Sequence, residues 1–442
     1  MSYKCFVAQI TRVQEIPGAD KIHCATVLGS KVVVAKDWGV GYVGLFFPVD
    51  TQLSEEFCKQ NNLYRDCTKN ADTTKKGFFD DNRRVRAQPF MKVKSEGFFC
   101  GIESLNWLLV YPEGDSLFTL GESFDEVNGV KICNRYESEK ASKIKREQKQ
   151  KAPKAKVAPT FHKHCDSEQF KLFAHHIKKG SLISIHAKVH GTSARYACLP
   201  VTRETHYSKP VSFLRKLVGM SRVKVQTQYE HLVGTRNVTL LEDQRYNAQG
   251  FHGSEEYRYE ILDLLKPHIE KGMTVYGEIA GYANGKTIMP KHSTETLKDK
   301  AFNKKYGKEI TYKYGCNETQ YRFHVYRITY QTVDGKEIDF TPAQLEEWCL
   351  DRGINHHYNV VEPFIYDGDV EKLSALVESL TEREDVLTED YIDPSHVSEG
   401  VIVRVDCANM RPIFYKNKSY AFRVMEGIQK ETSDEVDIEE IS

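Results

Sequence analysis

Four short segments carry side chains that could do chemistry together. Lys188-Val189-His190-Gly191-Thr192 directly follows the apolar run Leu182–Ala187. A lysine at the end of a buried strand, followed by a glycine turn, is placed to present its amine to a pocket. Gly277-Glu278-Ile279 follows a second apolar run, Ser398-Glu399-Gly400-Val401-Ile402-Val403 combines an acid with a strand pattern, and Lys416-Asn417-Lys418 precedes Ser419-Tyr420-Ala421-Phe422. The chemistry is nucleophilic attack by an amine. It requires a neutral lysine, whereas free lysine has a pKa of about 10.4, and nearby positive charge disfavours the ammonium. Glutamates are the oxygen donors that magnesium takes while keeping its water. Cations neutralise developing negative charge.

The ordered set KxHG, GE(I), EGVIV and KxKS resembles motifs I, III, IV and V of the covalent nucleotidyltransferases, the superfamily of ATP-dependent RNA and DNA ligases and mRNA capping enzymes. Phe323-His324-Val325-Tyr326 resembles the intervening aromatic motif IIIa. The histidine of KxHG stands where DNA ligases and capping enzymes usually carry aspartate, and this points to RNA ligases. Residues 166–180, DSEQFKLFAHHIKKG, and 191–195, GTSAR, are similar to that group as well. An OB-like domain ahead of the ligase core resembles the nick-sealing subgroup often called type 5. The resemblance covers residues 161 to about 427, with weaker support over 3–130. It departs at Ala187, where many RNA ligases carry glutamate, and at Lys171, where related sequences often have arginine.

The resemblance implies an ATP-dependent RNA ligase. A lysine amine attacks the α-phosphate of ATP, giving lysyl-AMP and pyrophosphate. AMP passes to an RNA 5′-phosphate, and a 3′-hydroxyl displaces it. Lys188 is then the nucleophile, with Lys416 and Lys418 as catalytic cations. Glu278 and Glu399 are the candidate ligands of Mg2+ or Mn2+, direct or through water, and Glu278 also lies near the ribose. His190 and Gly191 belong to the nucleotide site through the first motif. Phe323 stacks on adenine with Val401 beneath the other face, or both are core residues. Arg236, in Gly234-Thr235-Arg236-Asn237, resembles motif Ia, which touches the ribose or the RNA 5′-phosphate; Arg195 is its rival for a phosphate role. DNA ligation or capping guanylyl transfer on the same fold are the alternatives. A non-enzymatic RNA-binding protein is a third reading, disfavoured by the intact lysine and glutamate set.

The elements that must position these residues are mixed. Residues 6–10, 31–35, 43–47, 85–90 and 97–102 are short apolar or alternating runs punctuated by turn residues, which predicts a small barrel. From residue 161 the runs Leu182–Ala187, 274–279, 323–329 and 400–405 predict buried strands, and 343–351 and 370–380 predict helices. The expected class is α+β: an OB-like β-barrel over 1–134, a basic linker over 135–160, an adenylyltransferase domain of antiparallel sheets flanked by helices over 161–430, and an acidic tail over 431–442. Residues 283–320 read as an insertion, with eight lysines against four acids.

Composition sets the outer bounds. The 442 residues include 62 basic and 62 acidic side chains, a net charge of zero that excludes a simple basic nucleic-acid-binding protein. Part of this is cancellation. Residues 135–156 hold nine basic residues against three acids, while 426–442 hold seven acids against one lysine and read as a solvated end. Eleven scattered cysteines without a CxxC pair argue against a zinc ribbon and fit reduced thiols. With neither a signal-peptide pattern nor an apolar run of about 20 residues, the chain is expected to be intracellular, cytoplasmic or nuclear, away from membranes. It is further expected to be a monomer acting on RNA with 3′-OH and 5′-phosphate ends, a nicked duplex in particular, with end-healing enzymes as partners.

Overall fold

The computed structural model describes residues 3–91, 93–108, 118–137, 160–163, 165–207, 223–240, 245, 254–382, 395–408 and 411–432. Most of the basic segment 135–156, and the acidic end beyond 432, lie outside these residues.

The first part of the chain folds around the strand Cys5–Glu15. A register shift between Ile10 and Arg12 marks a bulge, and a bulge bends its strand. Residues ahead of it pair with Val43–Phe47, and those from Ile10 onward pair with Ile22–Val27. The resulting sheet runs Ser30–Ala35, Ile22–Val27, Cys5–Glu15, Val43–Phe47, Phe98–Gly101, with Ser123–Phe124 added beside Cys5 and Phe6. It curls into a half-barrel. Both of its faces are covered. Val7, Leu45 and Phe47 pack into one core, while Phe6, Ala8, Ile10 and Phe46 pack into another. Burial on both faces is why the strand reads as a near-continuous apolar run.

Two further sheets form the larger part. The first runs Glu168–Gln169, Ile413–Lys418, Gly400–Asp406, Leu182–Ala187, Phe364–Ile365. All its pairings are antiparallel except the short edge strand Glu168–Gln169, which joins in parallel. The helix Val370–Thr381, capped by Asp369, packs its Leu373 and Val377 against Val401, Val403 and Val405. The second sheet runs Thr239–Leu240, Val223–Thr235, Thr192–His206, Met273–Ala283, Tyr321–Gln331, Glu337–Asp339, with Lys286–Thr287 paired to Met273–Ala283. Helices Glu256–Leu265 and Pro342–Leu350 cover its apolar face. The latter begins with a capping box from Thr341 and Gln344, and Pro342 sits in its first turn.

Residues 355–360 stitch the two sheets together. Val325 donates to Asn355 O and accepts from the His357 N–H on one side, while Ala187 donates to Tyr358 O and Ile185 accepts from the Val360 N–H on the other. The expected helices and strands therefore form close to their expected limits. Residues 283–320 prove to be structural: Tyr306, Ile310, Tyr312 and Tyr314 share a core with Val189, Phe422 and Met425.

The half-barrel docks on the larger part through a charged hub. Glu96 is 6% exposed and accepts from Lys171 at 3.2 Å and from Arg423. Lys171 also reaches Glu378 at 3.0 Å. Lys94 lies 4.4 Å above the Tyr420 ring. Leu172 joins the core of the half-barrel. Both residues that hold Glu96 come from beyond residue 160, so the two parts share one interface.

Candidate active site

The lysine of the first motif sits where its strand ends. The Lys188 main-chain N–H donates to Gly400 at 3.0 Å, fixing the turn beside the strand Gly400–Asp406. Its Nζ lies 2.8 Å from Glu399 Oε2. Lys418 Nζ reaches Glu399 Oε1 at 3.3 Å and both oxygens of Glu426 at 3.0 Å. Glu399 is fully buried, and His190 Nδ1 stands 3.6 Å from Oε2. A buried carboxylate without partners would be strongly unfavourable. Two ammonium groups compensate it and gather the side chains of three motifs at one point.

Glycines permit the close approach. Gly400 has φ +145°, and a Cβ there would lie 2.1 Å from the Asn417 carbonyl oxygen. A Cβ on Gly191 would lie 2.5 Å from the carbonyl oxygen of Ile279. Gly191 thus lets the turn after Lys188 press against the strand carrying Glu278. In that register Ser193 stands directly opposite Glu278, and its hydroxyl donates to Oε1 at 2.8 Å. Arg258, fully buried on the helix behind, braces the turn by donating to Ser193 O at 2.8 Å and Thr192 Oγ1 at 2.9 Å.

A cavity opens between the two sheets in front of Lys188. Lys188, Arg236, Glu278, Tyr326, Ile402 and Lys416 line it, with His186, His357 and Cys165 behind. Burial pulls the His186 imidazole down to about 4 and that of His357 well below its ordinary value. Both rings are therefore neutral near pH 7. Burial, and then the Glu278 charge, raise the Tyr326 phenol, which stays protonated. The cations on the cavity wall are Lys188, Lys416 and Arg236, facing the carboxylate of Glu278.

The structure brings together Lys188, Lys416, Lys418, Glu278, Glu399, Gly191 and Arg236. Arg236 lines the cavity while ion-paired to Asp166. Other expected residues stand elsewhere. Phe323 lies in the core of the second sheet, edge-on to Tyr196 at 5.1 Å. The aromatic that this strand gives the cavity is Tyr326, three residues later, and Phe414 joins it on the lining. The cause is alternation along the strand: Phe323 and Tyr326 are three residues apart and so face opposite sides, and the bulge where Tyr276 pairs with Arg327 and Gly277 with Val325 then returns Ile328 to the core. Phe323, Val325 and Ile328 point into the core, while Tyr326 emerges opposite.

Val401 likewise packs in the core with Leu373, and its neighbour Ile402 takes the cavity wall. Successive strand residues face opposite sides, so the cavity wall carries Tyr326 and Ile402 where Phe323 and Val401 were expected. Arg195 is spent on main chain, donating to Thr235 O at 2.9 Å, Phe161 O at 2.8 Å and His162 O at 2.6 Å. It ties residues 161–162 to the sheet and does not line the cavity.

His190 sits behind the lysine among Tyr312, His292 and Phe422, with ring centroids 4.8 to 5.5 Å away. Its main-chain N–H donates to Tyr314 Oη at 2.7 Å. The segment read as an insertion thus builds the rear wall. Glu426 was counted with the solvated tail, yet it lies within the helix Tyr420–Thr432 and holds Lys418.

No family model matches the chain, and a search of curated proteins found no match. Solved structures do match over nearly the whole length. A single-substitution variant of the RNA ligase of Naegleria gruberi, without ligand, is 15% identical, with a TM-score of 0.54 over 96% of this chain and 98% of that one. The same ligase with PPi is 14% identical, with a TM-score of 0.53 over 95% and 97%. A variant with ATP and Mn is 14% identical, with a TM-score of 0.52 over 95% and 97%. The chain therefore has the fold of these RNA ligases, a mixed α+β architecture of sheets with fewer helices.

Proposed function

We propose that the chain is an ATP-dependent RNA ligase, joining 3′-OH to 5′-phosphate ends through lysyl-AMP and an adenylated RNA 5′ end. The observation that carries this reading is the meeting of Lys188, Glu399 and Lys418 within 3.3 Å, beside a cavity walled by Glu278, Lys416 and Tyr326. An amine, two carboxylates and a cluster of cations suit nucleotidyl transfer, in which most of the catalysis is positioning and charge neutralisation.

In this reading the Lys188 amine attacks the α-phosphorus of ATP. The N–P bond forms as the bond to the bridging oxygen breaks, and pyrophosphate leaves. The amine must first shed a proton, and Glu399 is the base within reach at 2.8 Å. Lys416 and Lys418 stand beside the phosphates. Tyr326 and Ile402 flank the base, and Glu278, oriented by Ser193, faces the ribose and metal. Arg236 binds the incoming 5′-phosphate.

Among the described residues no group of three or more His, Cys, Asp or Glu side chains is arranged for a metal. The site fits magnesium or manganese held chiefly by the triphosphate and water, since Glu278 offers a carboxylate on the cavity wall and such ions use few protein ligands. Glu399 is engaged by two lysines in this state. A bound ion would offset the charge of the departing pyrophosphate.

The half-barrel over 1–134 is read as an OB-like RNA-holding domain, with 135–160 as linker, 161–430 as ligase domain and 431–442 as tail. With it goes the type 5, nick-sealing assignment in RNA repair. Incubation with α-labelled ATP and magnesium should give a covalent adduct that Lys188→Ala abolishes. Labelling of that variant, or labelling by GTP alone, contradicts the reading. Deleting residues 1–130 should impair sealing more than adduct formation.

A further inference from the structure

A second cavity opens in the half-barrel, at the seam where its sheet does not close. Ser30–Ala35 and Phe98–Gly101 are the two edges of that sheet, and residues of both line the cavity, with residues 63–86 as its outer wall. Its volume is about 510 Å³, within the range of about 300–1,000 Å³ of small-ligand sites.

The walls are aromatic and rigid. Trp38 is stacked on Tyr42 at 4.9 Å and 10°, which fixes the plane of the indole. Phe78 stands 4.9 Å from Phe79 and 5.7 Å from Phe98, yet remains 52% exposed. Aromatic faces held by other rings offer stacking surface at little entropic cost.

The rim is basic. Arg65 and Arg86 are both pinned to Asp80, at 2.9 and 3.2 Å, so two guanidinium groups are held side by side. Lys21 and Arg84, the latter paired to Asp50, bring the cations of the lining to four, against the one carboxylate of Asp80. This surplus selects an anionic ligand. A peptide adding as a strand is disfavoured because the edge is already blunted: the Val33 N–H donates to Ser95 Oγ at 3.2 Å. The seam is also continuous with the catalytic half. Gln88 and Phe90 line the cavity, while Ala87 of the same strand packs with Tyr420 and Val424 on the helix that carries Glu426.

We propose that the seam binds an unpaired nucleotide of an RNA strand, its base stacked on the aromatic wall and its phosphate against Lys21, Arg65 and Arg86. The inference rests on the ligase reading and adds to its nicked-duplex substrate an unpaired residue, a flap or overhang, beside the joint.

The test is a titration of the full-length protein with a short oligoadenylate, read by intrinsic fluorescence, with Trp38→Phe identifying the signal. Saturable quenching is expected. Phe78→Ala should weaken binding by about tenfold, the order expected for one stacked base. Arg65→Gln with Arg86→Gln should weaken it and flatten its salt dependence. A blunt RNA duplex should not compete.

Unchanged affinity in Phe78→Ala, or equal competition by inorganic pyrophosphate, overturns the proposal. Quenching by an extended apolar peptide but not by RNA reassigns the seam to a peptide. Adduct formation with α-labelled ATP is measured on the same proteins. Its absence from the parent removes the ligase reading, while oligoadenylate quenching still decides the seam.

Discussion

Glu399→Gln isolates the carboxylate at the centre of the site. The change keeps the shape and removes one negative charge that serves Lys188 and Lys418, whose side chains are only 11% and 14% exposed. Removing one partner of a buried pair costs about 3–5 kcal/mol. Lys418 keeps Glu426 at 3.0 Å, so the penalty falls mainly on Lys188, and the lower figure of about 3 kcal/mol is expected. At about 2 °C per kcal/mol for a domain of this size, the melting temperature should fall by about 6 °C.

Lys188→Met in the Glu399→Gln background removes the stranded ammonium. It should recover most of the loss, giving a coupling energy of about 2 kcal/mol in a double-mutant cycle. Thermal melting of the four proteins is the assay. A Glu399→Gln protein that melts within about 1 °C of the parent, or a coupling below about 0.5 kcal/mol, refutes the reasoning that this carboxylate holds the nucleophile.

Other expectations follow from the same geometry. Tyr326→Ala should weaken ATP binding by about tenfold, the value of a stacking platform, with little change in melting. Phe323→Ala should instead destabilise by about 3–5 kcal/mol; the opposite pattern in paired binding and melting measurements restores Phe323 as the stacking ring. Glu426→Gln should slow adduct formation by about tenfold, a loss of about 1.4 kcal/mol, while shifting the melting temperature by less than 2 °C for about 1 kcal/mol; an unchanged rate removes Glu426 from the positioning of Lys418. Burial pulls His186 to about 4 and His292 to about 3, below the unfolded value of about 6.5. The unfolded chain takes up these protons first, so stability is complete above pH 6.5 and is lost as pH falls toward 4 and 3. Melting curves at pH 7.5, 6 and 5 should show a steepening decline, and a flat profile contradicts the neutral, buried state of these rings.

The residues that gather around Lys188 were legible in the sequence because each sits on a short contiguous segment that resembles a nucleotidyltransferase motif. A buried strand ends, a glycine follows, and the lysine comes between, as at Leu182–Ala187, Lys188 and Gly191. Glu399 beside Gly400 and the alternation of Lys416 and Lys418 carry the same information at short range. What could not be read depends on partners distant in sequence.

The exchange of Phe323 for Tyr326 follows from which face of the strand Tyr321–Gln331 meets the core, and that is fixed only once it pairs with Met273–Ala283. Val401 and Ile402 lie in a strand packed on both sides, so hydrophobicity alone does not say which faces the ligand. Arg195 looks free to meet phosphate until the carbonyls of residues 161–162 reach it from thirty residues away. Glu426 was hidden by its acidic surroundings, although a helix starting at Tyr420 returns it to Lys418. The segment 283–320 read as an insertion because it lengthens the gap between motifs with eight lysines against four acids, while its tyrosines form the wall behind His190.

The central claim is that Lys188 is the atom-bearing nucleophile of an adenylyl transfer. Incubation of the full-length protein with α-labelled ATP and magnesium, followed by peptide mapping of the acid-labile adduct, tests it most directly. The expected result is one AMP attached through a phosphoramide bond to Lys188, with release of pyrophosphate, and no adduct in Lys188→Ala. An adduct on another residue, or undiminished labelling of Lys188→Ala, contradicts the account.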